Sequence, residues 1–159
     1  MLSFKKIIFA VLLLISACGF SPLYNQHNSA NLTEKIRIQE PNTQNDFAFY
    51  LQLTNRFTEG GSKYILNYAI TSSKKDVGIN FDGTAHRVEI FASVSFSLIE
   101  VELGAELLSD KEAMSLSYSN FGSTAAVLNA ERITKKQLMV LLADKVADRI
   151  SLTIVEKGS

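Results

Sequence analysis

The chain has 159 residues, with sixteen Lys and Arg balancing sixteen Asp and Glu, two His, one Cys and no Trp. A length in this range supplies one compact domain with one adequate core. The balanced charge excludes the global basic excess that nucleic-acid binding relies on, and a lone cysteine excludes a disulfide framework within the chain.

The first element is a leader. Lys5-Lys6 precede an apolar run from Ile7 to Ile15, and small residues Ser16-Ala17 lead to the single Cys18. A basic start, an apolar core of about nine residues and small residues before the break describe a secretory signal. The run falls short of the roughly 20 apolar residues that a membrane-spanning helix needs. An ordinary signal peptide and an N-terminal core helix are the alternatives. The position, flanks and uniqueness of Cys18 favour a third reading, because the segment resembles the lipobox of bacterial lipoproteins. There the cysteine is acylated and becomes the mature N-terminus. Gly19 rather than Asp follows it, which in Gram-negative lipoproteins implies sorting to the outer membrane. Several acyl chains on Cys18 would form a durable anchor where one would bind only marginally.

This divides the chain into a signal at residues 1–17, an acylated N-terminus and tether at 18–33, and one domain at 34–159. Lys5 and Lys6 leave with the signal, so the mature chain carries two more acidic than basic residues. The stretch Ser21 to Thr33 is rich in Asn, Ser, Gln and Pro, the composition of a flexible tether.

Lys35-Ile36-Arg37-Ile38 alternates polar and apolar and predicts a short strand ended by Pro41-Asn42. A helix is expected from a cap at Asn45 or Asp46. Its stripe Phe47, Tyr50, Leu51 and Thr54, with Phe57 beyond, is expected to face the core, and Gly60-Gly61 to end it. Tyr64 to Thr71 predicts a second strand. Ser72-Ser73-Lys74-Lys75-Asp76 then reads as a loop continuing through Gly78, Asn80, Asp82 and Gly83. From Thr84 the pattern is cleanest: Val88, Ile90, Ala92, Val94, Phe96 and Leu98 alternate with Arg87, Glu89, Ser93, Ser95 and Ser97. Such alternation means a sheet covered on one face and wet on the other, with Phe91 the aromatic exception. Gly104 marks a turn, and Glu106 to Tyr118 returns as a fourth strand whose charged middle, Asp110-Lys111-Glu112, also suits a bulge or loop. After Asn120-Phe121-Gly122, Ser123 or Thr124 caps a long helix to about Ile150. Its later half carries the stripe Leu138, Met139, Leu142, Ala143, Val146 and Ile150. In its first half the same sector holds Glu131, Arg132 and Lys135 beside Leu128.

The order β-α-β-β-β-α predicts an α+β two-layer sandwich: one four-stranded, mostly antiparallel sheet with two helices on its apolar face. Only the first strand-to-strand connection contains a helix.

The run Cys18-Gly19-Phe20-Ser21-Pro22-Leu23-Tyr24 resembles the Cys-Gly-Phe-x-Pro-Leu-Tyr start of LPS-assembly lipoproteins of the LptE type. Looser likenesses are the long strand after Asp82-Gly83-Thr84, the break at Ser117-Tyr118-Ser119-Asn120, and Ala130-Glu131-Arg132. The predicted element order is also similar, so the resemblance covers the mature chain. It implies an outer-membrane subunit facing the periplasm that fills and helps assemble the translocon barrel, LptD, and contacts lipopolysaccharide. A stand-alone structural or envelope-maintenance lipoprotein without a barrel partner is the alternative.

The residues themselves point away from catalysis. His27 falls in the tether and His86 at the start of the long strand, and neither has a carboxylate or serine at motif spacing. No glycine pair forms a phosphate loop opening a helix. No cofactor is expected beyond the covalent lipid on Cys18, and no metal. Lys74-Lys75, with Arg87 across the predicted hairpin, could meet phosphates of an anionic lipid at one tip; a solvated turn is the plainer explanation. Arg132, Lys135 and Lys136 form a second basic cluster where the apolar stripe fades, suiting a partner-facing end. A Glu131–Lys135 pair at i, i+4 accounts for half of it. Phe47, Phe49, Tyr50, Tyr64 and Tyr68 read as core rather than as a ligand box.

Overall fold

The computed structural model describes residues 36–57, 63–79 and 85–157. The expected signal, the expected tether with Cys18, the expected helix stop at Gly60-Gly61 and the expected loop signals at Asn80, Asp82 and Gly83 lie outside them. The chain runs β1 (Ile36–Ile38), α1 (Gln44–Arg56), β2 (Tyr64–Ile79), β3 (Ala85–Glu100), β4 (Ala105–Ser119) and α2 (Thr124–Lys157). One sheet has the spatial order β1-β2-β3-β4. The β1–β2 pair is parallel, an arrangement that needs the crossover its helical connection provides, and the other pairs are antiparallel. The expected sandwich is therefore present, with a mixed sheet.

Alternation decides the sheet's two faces. Val88, Ile90, Ala92, Val94, Phe96 and Leu98 are all buried under the helices, with Tyr64, Leu66 and Tyr68 of β2 beside them. The opposite face carries Thr71, Ser93, Ser95 and Ser97, with the Thr71 and Ser93 hydroxyls 2.9 Å apart. Phe91 stands half-exposed among serines, opposite Ser73 and Ser115. At the far end of the β3–β4 hairpin, Gly104 takes φ +61°, a conformation that L side chains disfavour.

The long helix is capped by Ser123, whose side chain accepts from the Ala126 N–H at 3.3 Å. Every residue of its expected stripe is buried, and Ala147 and Ile154 extend it, so the helix runs a further two turns beyond Ile150. Each buried Leu, Ile or Val contributes about 1.5–3 kcal/mol relative to exposure. In the first half Leu128 points outward, and the buried sector passes through Thr134 instead.

Helix α1 differs more. Thr43, not Asn45 or Asp46, is its N-cap, accepting from the Asp46 N–H at 3.3 Å. Its buried residues are Phe49, Leu53 and Phe57, while Phe47 and Leu51 are 51% and 44% exposed. The rotation is set by its neighbour: Gln52 donates to Asp144 at 2.9 Å, and Arg56 pairs with Asp148. Both pairs span 92 residues, so the helices lie side by side with one constant offset. Carried back, that offset puts the start of α1 level with Lys136, and the α2 turns before it run on past α1 by about 18 Å at 1.5 Å per residue.

Two strands exceed expectation. β2 continues through the Ser-Ser-Lys-Lys-Asp stretch to Ile79, in unbroken register against β3. β4 is a strand through its charged middle because Asp110 and Glu112 face the helix layer. There they meet Arg149 at 3.0 Å and Lys145 at 3.7 Å. Its one irregularity is a register shift opposite Leu98 and Ile99.

Candidate functional site

Because α1 begins below the top of α2 while β2 extends above it, the helix layer has a gap. A cleft of about 630 Å3 fills it, bounded by Phe47, Ala48 and Leu51 of α1, Ile70 and Ser72 of β2, Ile90 of β3, and Arg132, Lys135, Lys136 and Met139 of α2. Ile90 and Met139 are buried and form its floor, and the exposed Phe47 and Leu51 form an apolar wall. Asp46 and Thr43 stand at the helix start. The cleft thus joins an apolar interior to a rim with three cations and one carboxylate.

The cations are not equivalent. Lys135 is held by Glu131 at 2.7 Å, and the Arg132 guanidinium donates to the Asn129 side chain at 2.9 Å. Lys136 is exposed and has no ion pair among the described residues. The expected basic cluster of α2 is therefore brought together, beside an apolar wall supplied by the α1 residues that sequence reasoning assigned to the core. The physical signal for that wall lay in α1 itself, which is apolar over most of its circumference and cannot bury all of it.

The other basic group is taken apart. Lys74 and Lys75 lie within β2 rather than on a loop, so their side chains leave on opposite faces. Lys74 turns inward and donates to Glu131 at 2.8 Å. Lys75 and Arg87 share the outer face as diagonal neighbours, with Glu89 opposite Lys75 and Val77 opposite Arg87. The Glu89 carboxylate also accepts from the Ser115 hydroxyl at 2.8 Å. One tip bearing all three cations does not form.

Glu131 is the residue that sequence reasoning undervalued. It accepts from Lys135, Lys74 and, at 3.2 Å, the Tyr118 hydroxyl, and its side chain is only 16% exposed. Hydrogen bonds from Lys135 and Lys74 hold its carboxyl down at about 2, and the same carboxylate raises Lys74 above its ordinary value. Tyr118 is raised by burial and then by Glu131. Only the local Lys135 partner is visible from spacing; Lys74 arrives from 57 residues away. Lower down, burial pushes the Tyr68 hydroxyl up to about 12, with Asp46 and Tyr50 adding to it.

Among the described residues, no group of three or more His, Cys, Asp or Glu is placed to hold a metal ion, and no helix is long and apolar enough to cross a membrane. The second statement does not bear on strands.

No protein-family model and no curated protein sequence matches the chain. Solved structures do resemble it. A candidate lipoprotein from Caulobacter crescentus CB15 superposes with a TM-score of 0.62 at 18% identity, over 82% of this chain and 95% of that one. Rare lipoprotein B from Shewanella oneidensis gives 0.62 at 12% identity, over 79% and 98%. A minor lipoprotein from Acinetobacter baumannii gives 0.58 at 16%, over 76% and 92%. At these identities what is shared is the fold.

Proposed function

We propose that this chain is a lipid-anchored outer-membrane lipoprotein that works by binding, as a subunit of the lipopolysaccharide export machine that fills and helps assemble an LptD-type barrel. The carrying observation is a conjunction: a leader ending in a single Cys18 precedes a sandwich whose structural neighbours are described as bacterial lipoproteins. The run Cys18 to Tyr24, with its likeness to LptE-type lipoproteins, narrows the role from lipoprotein to translocon subunit.

Two features support binding over turnover. The cleft combines apolar walls with cations, and among its described lining residues there is no nucleophile–base pair of recognisable geometry. The exposed Lys136 and Arg132 give it an excess of positive charge suited to a partner. On the opposite face, Lys75 and Arg87 are exposed and available to phosphates of lipopolysaccharide.

Affinity purification of the full-length tagged protein from detergent-solubilised outer membranes tests the reading. Recovery of a large barrel protein, lost when residues 34–159 are removed and the anchor kept, is the expected result. Recovery of the acylated protein alone at equal yield leaves an envelope lipoprotein and removes the translocon role.

A further inference from the structure

Strand β2 has 16 residues, and β1 pairs only with Tyr64, Ile65 and Leu66. Among the described residues nothing pairs with the same edge beyond that point except one side chain. The Gln39 N–H donates to the Leu66 carbonyl at 3.0 Å, and the Gln39 Oε1 accepts from the Tyr68 N–H at 3.3 Å. These two bonds fix which β2 residues aim their backbone groups at the edge. In an antiparallel pair, alternate residues turn both N–H and C=O away from the partner. Leu66 and Tyr68 are of that set, so Ile70, Ser72, Lys74 and Asp76 present theirs outward, in a register that stays unbroken against β3.

A long open edge is a template for pairing, and proteins usually guard it. The other edge of this sheet is guarded: the Lys111 N–H of β4 is taken by the Asp110 carboxylate at 2.7 Å, and Lys111 stands on that edge. On β2 Lys74 is withdrawn into Glu131 while Lys75 stays on the outer face, and among the described residues no side chain accepts from the N–H groups of Ile70 to Asp76. The side chains of Ile70 and Ser72 belong to the cleft, so the open edge and the cleft are one continuous feature.

We propose that an extended polypeptide segment adds to β2 as a further strand opposite Ile70 to Asp76. Its inward side chains, apolar and acidic in turn, enter the cleft between Phe47 and Lys136. Backbone donors and acceptors along the edge supply the affinity, and the alternate side chains supply the selection. Apolar side chains meet Phe47, Leu51 and Ile70; carboxylates meet Arg132 and Lys136. A lipid would use the cations and the apolar wall but leave the row of edge amides unmet. The inference concerns the chemistry of the bound segment and holds whether or not its source is a barrel.

The test uses full-length protein in detergent micelles and a fluorescent peptide of about nine residues, long enough for an ordinary strand. Leucine and aspartate alternate on one of its faces and threonine fills the other. Saturable binding is expected, with slowed exchange of the Ile70, Ser72 and Lys74 amides. Ser72→Pro removes an edge donor without touching the ladder to β3, and should weaken binding by about tenfold or more. Lys136→Glu, or lysine in place of aspartate in the peptide, should do the same. Should Ser72→Pro fail to fold, a peptide N-methylated on alternate amides asks the same question of the native protein. Absence of saturable binding, or binding indifferent to both Ser72→Pro and N-methylation, overturns the proposal and leaves the cleft to an amphipathic anion. Self-association that protects the same amides without peptide overturns it in favour of a second copy of this chain.

Discussion

Glu131 gathers donors from three elements: Lys74 of β2, Tyr118 of β4 and Lys135 of its own helix. Its carboxyl sits at about 2 against an ordinary 4.5, so the stabilisation is complete above about pH 4.5 and disappears as pH falls toward 2. Glu131→Gln should lower unfolding free energy at pH 7 by about 1 kcal/mol, an exposed pair contributing less and a fully buried one more. Urea titrations from pH 7 to pH 2 should show native and variant proteins converging at the acid end; parallel curves would remove Glu131 from the acid response. Half of this arrangement was legible in the sequence. The i, i+4 spacing to Lys135 announces itself, whereas Lys74 lies in a Ser-Ser-Lys-Lys-Asp stretch whose composition says turn. What makes that stretch a strand is β3 opposite it, through Ile90 and Glu89, together with the Glu131 carboxylate waiting above.

At the scale of elements, legibility followed how lopsided each pattern was. β3 alternates without ambiguity on its inward side, and its faces follow. The later half of α2 has a single stripe and buries it. Helix α1 offers two stripes of similar apolarity, Phe47-Tyr50-Leu51 and Phe49-Leu53-Phe57. The tie is broken by Gln52 and Arg56, which must reach Asp144 and Asp148. That contact lies 92 residues away and no local periodicity contains it. The correction is measurable: Phe49→Ala should cost about 3–5 kcal/mol in urea unfolding, and Phe47→Ala no more than about 0.5 kcal/mol. Equal losses would restore the other face to the core. β4 teaches the converse lesson. Asp110 and Glu112 make it read like a loop, yet each pairs with a cation of α2 across the rim of the sandwich.

For the whole molecule, the element order was readable because every element carries its own local signal, while the gap in the helix layer was not, since it depends on where two helices start relative to each other. The attachment proposed through Cys18 stands or falls separately from the domain. Cys18→Ser should shift the protein from the membrane pellet to the soluble fraction, with the unfolding transition of the domain unchanged. Retention in the pellet after a high-salt wash would count against the lipid. The constant 92-residue offset between the paired helices also bears on how the chain comes to be folded. Hairpins β2–β3 and β3–β4 close between near neighbours and can zip early, whereas α1, though its Phe49 lies against Tyr68 of β2, gains the partners of Gln52 and Arg56 only once α2 exists. A chain emerging N-terminus first therefore waits, the rotation of its first helix unset, until Asp144 and Asp148 are made. Closure of the helix layer is thus the last step open to the chain, because it needs residues from both ends of the domain.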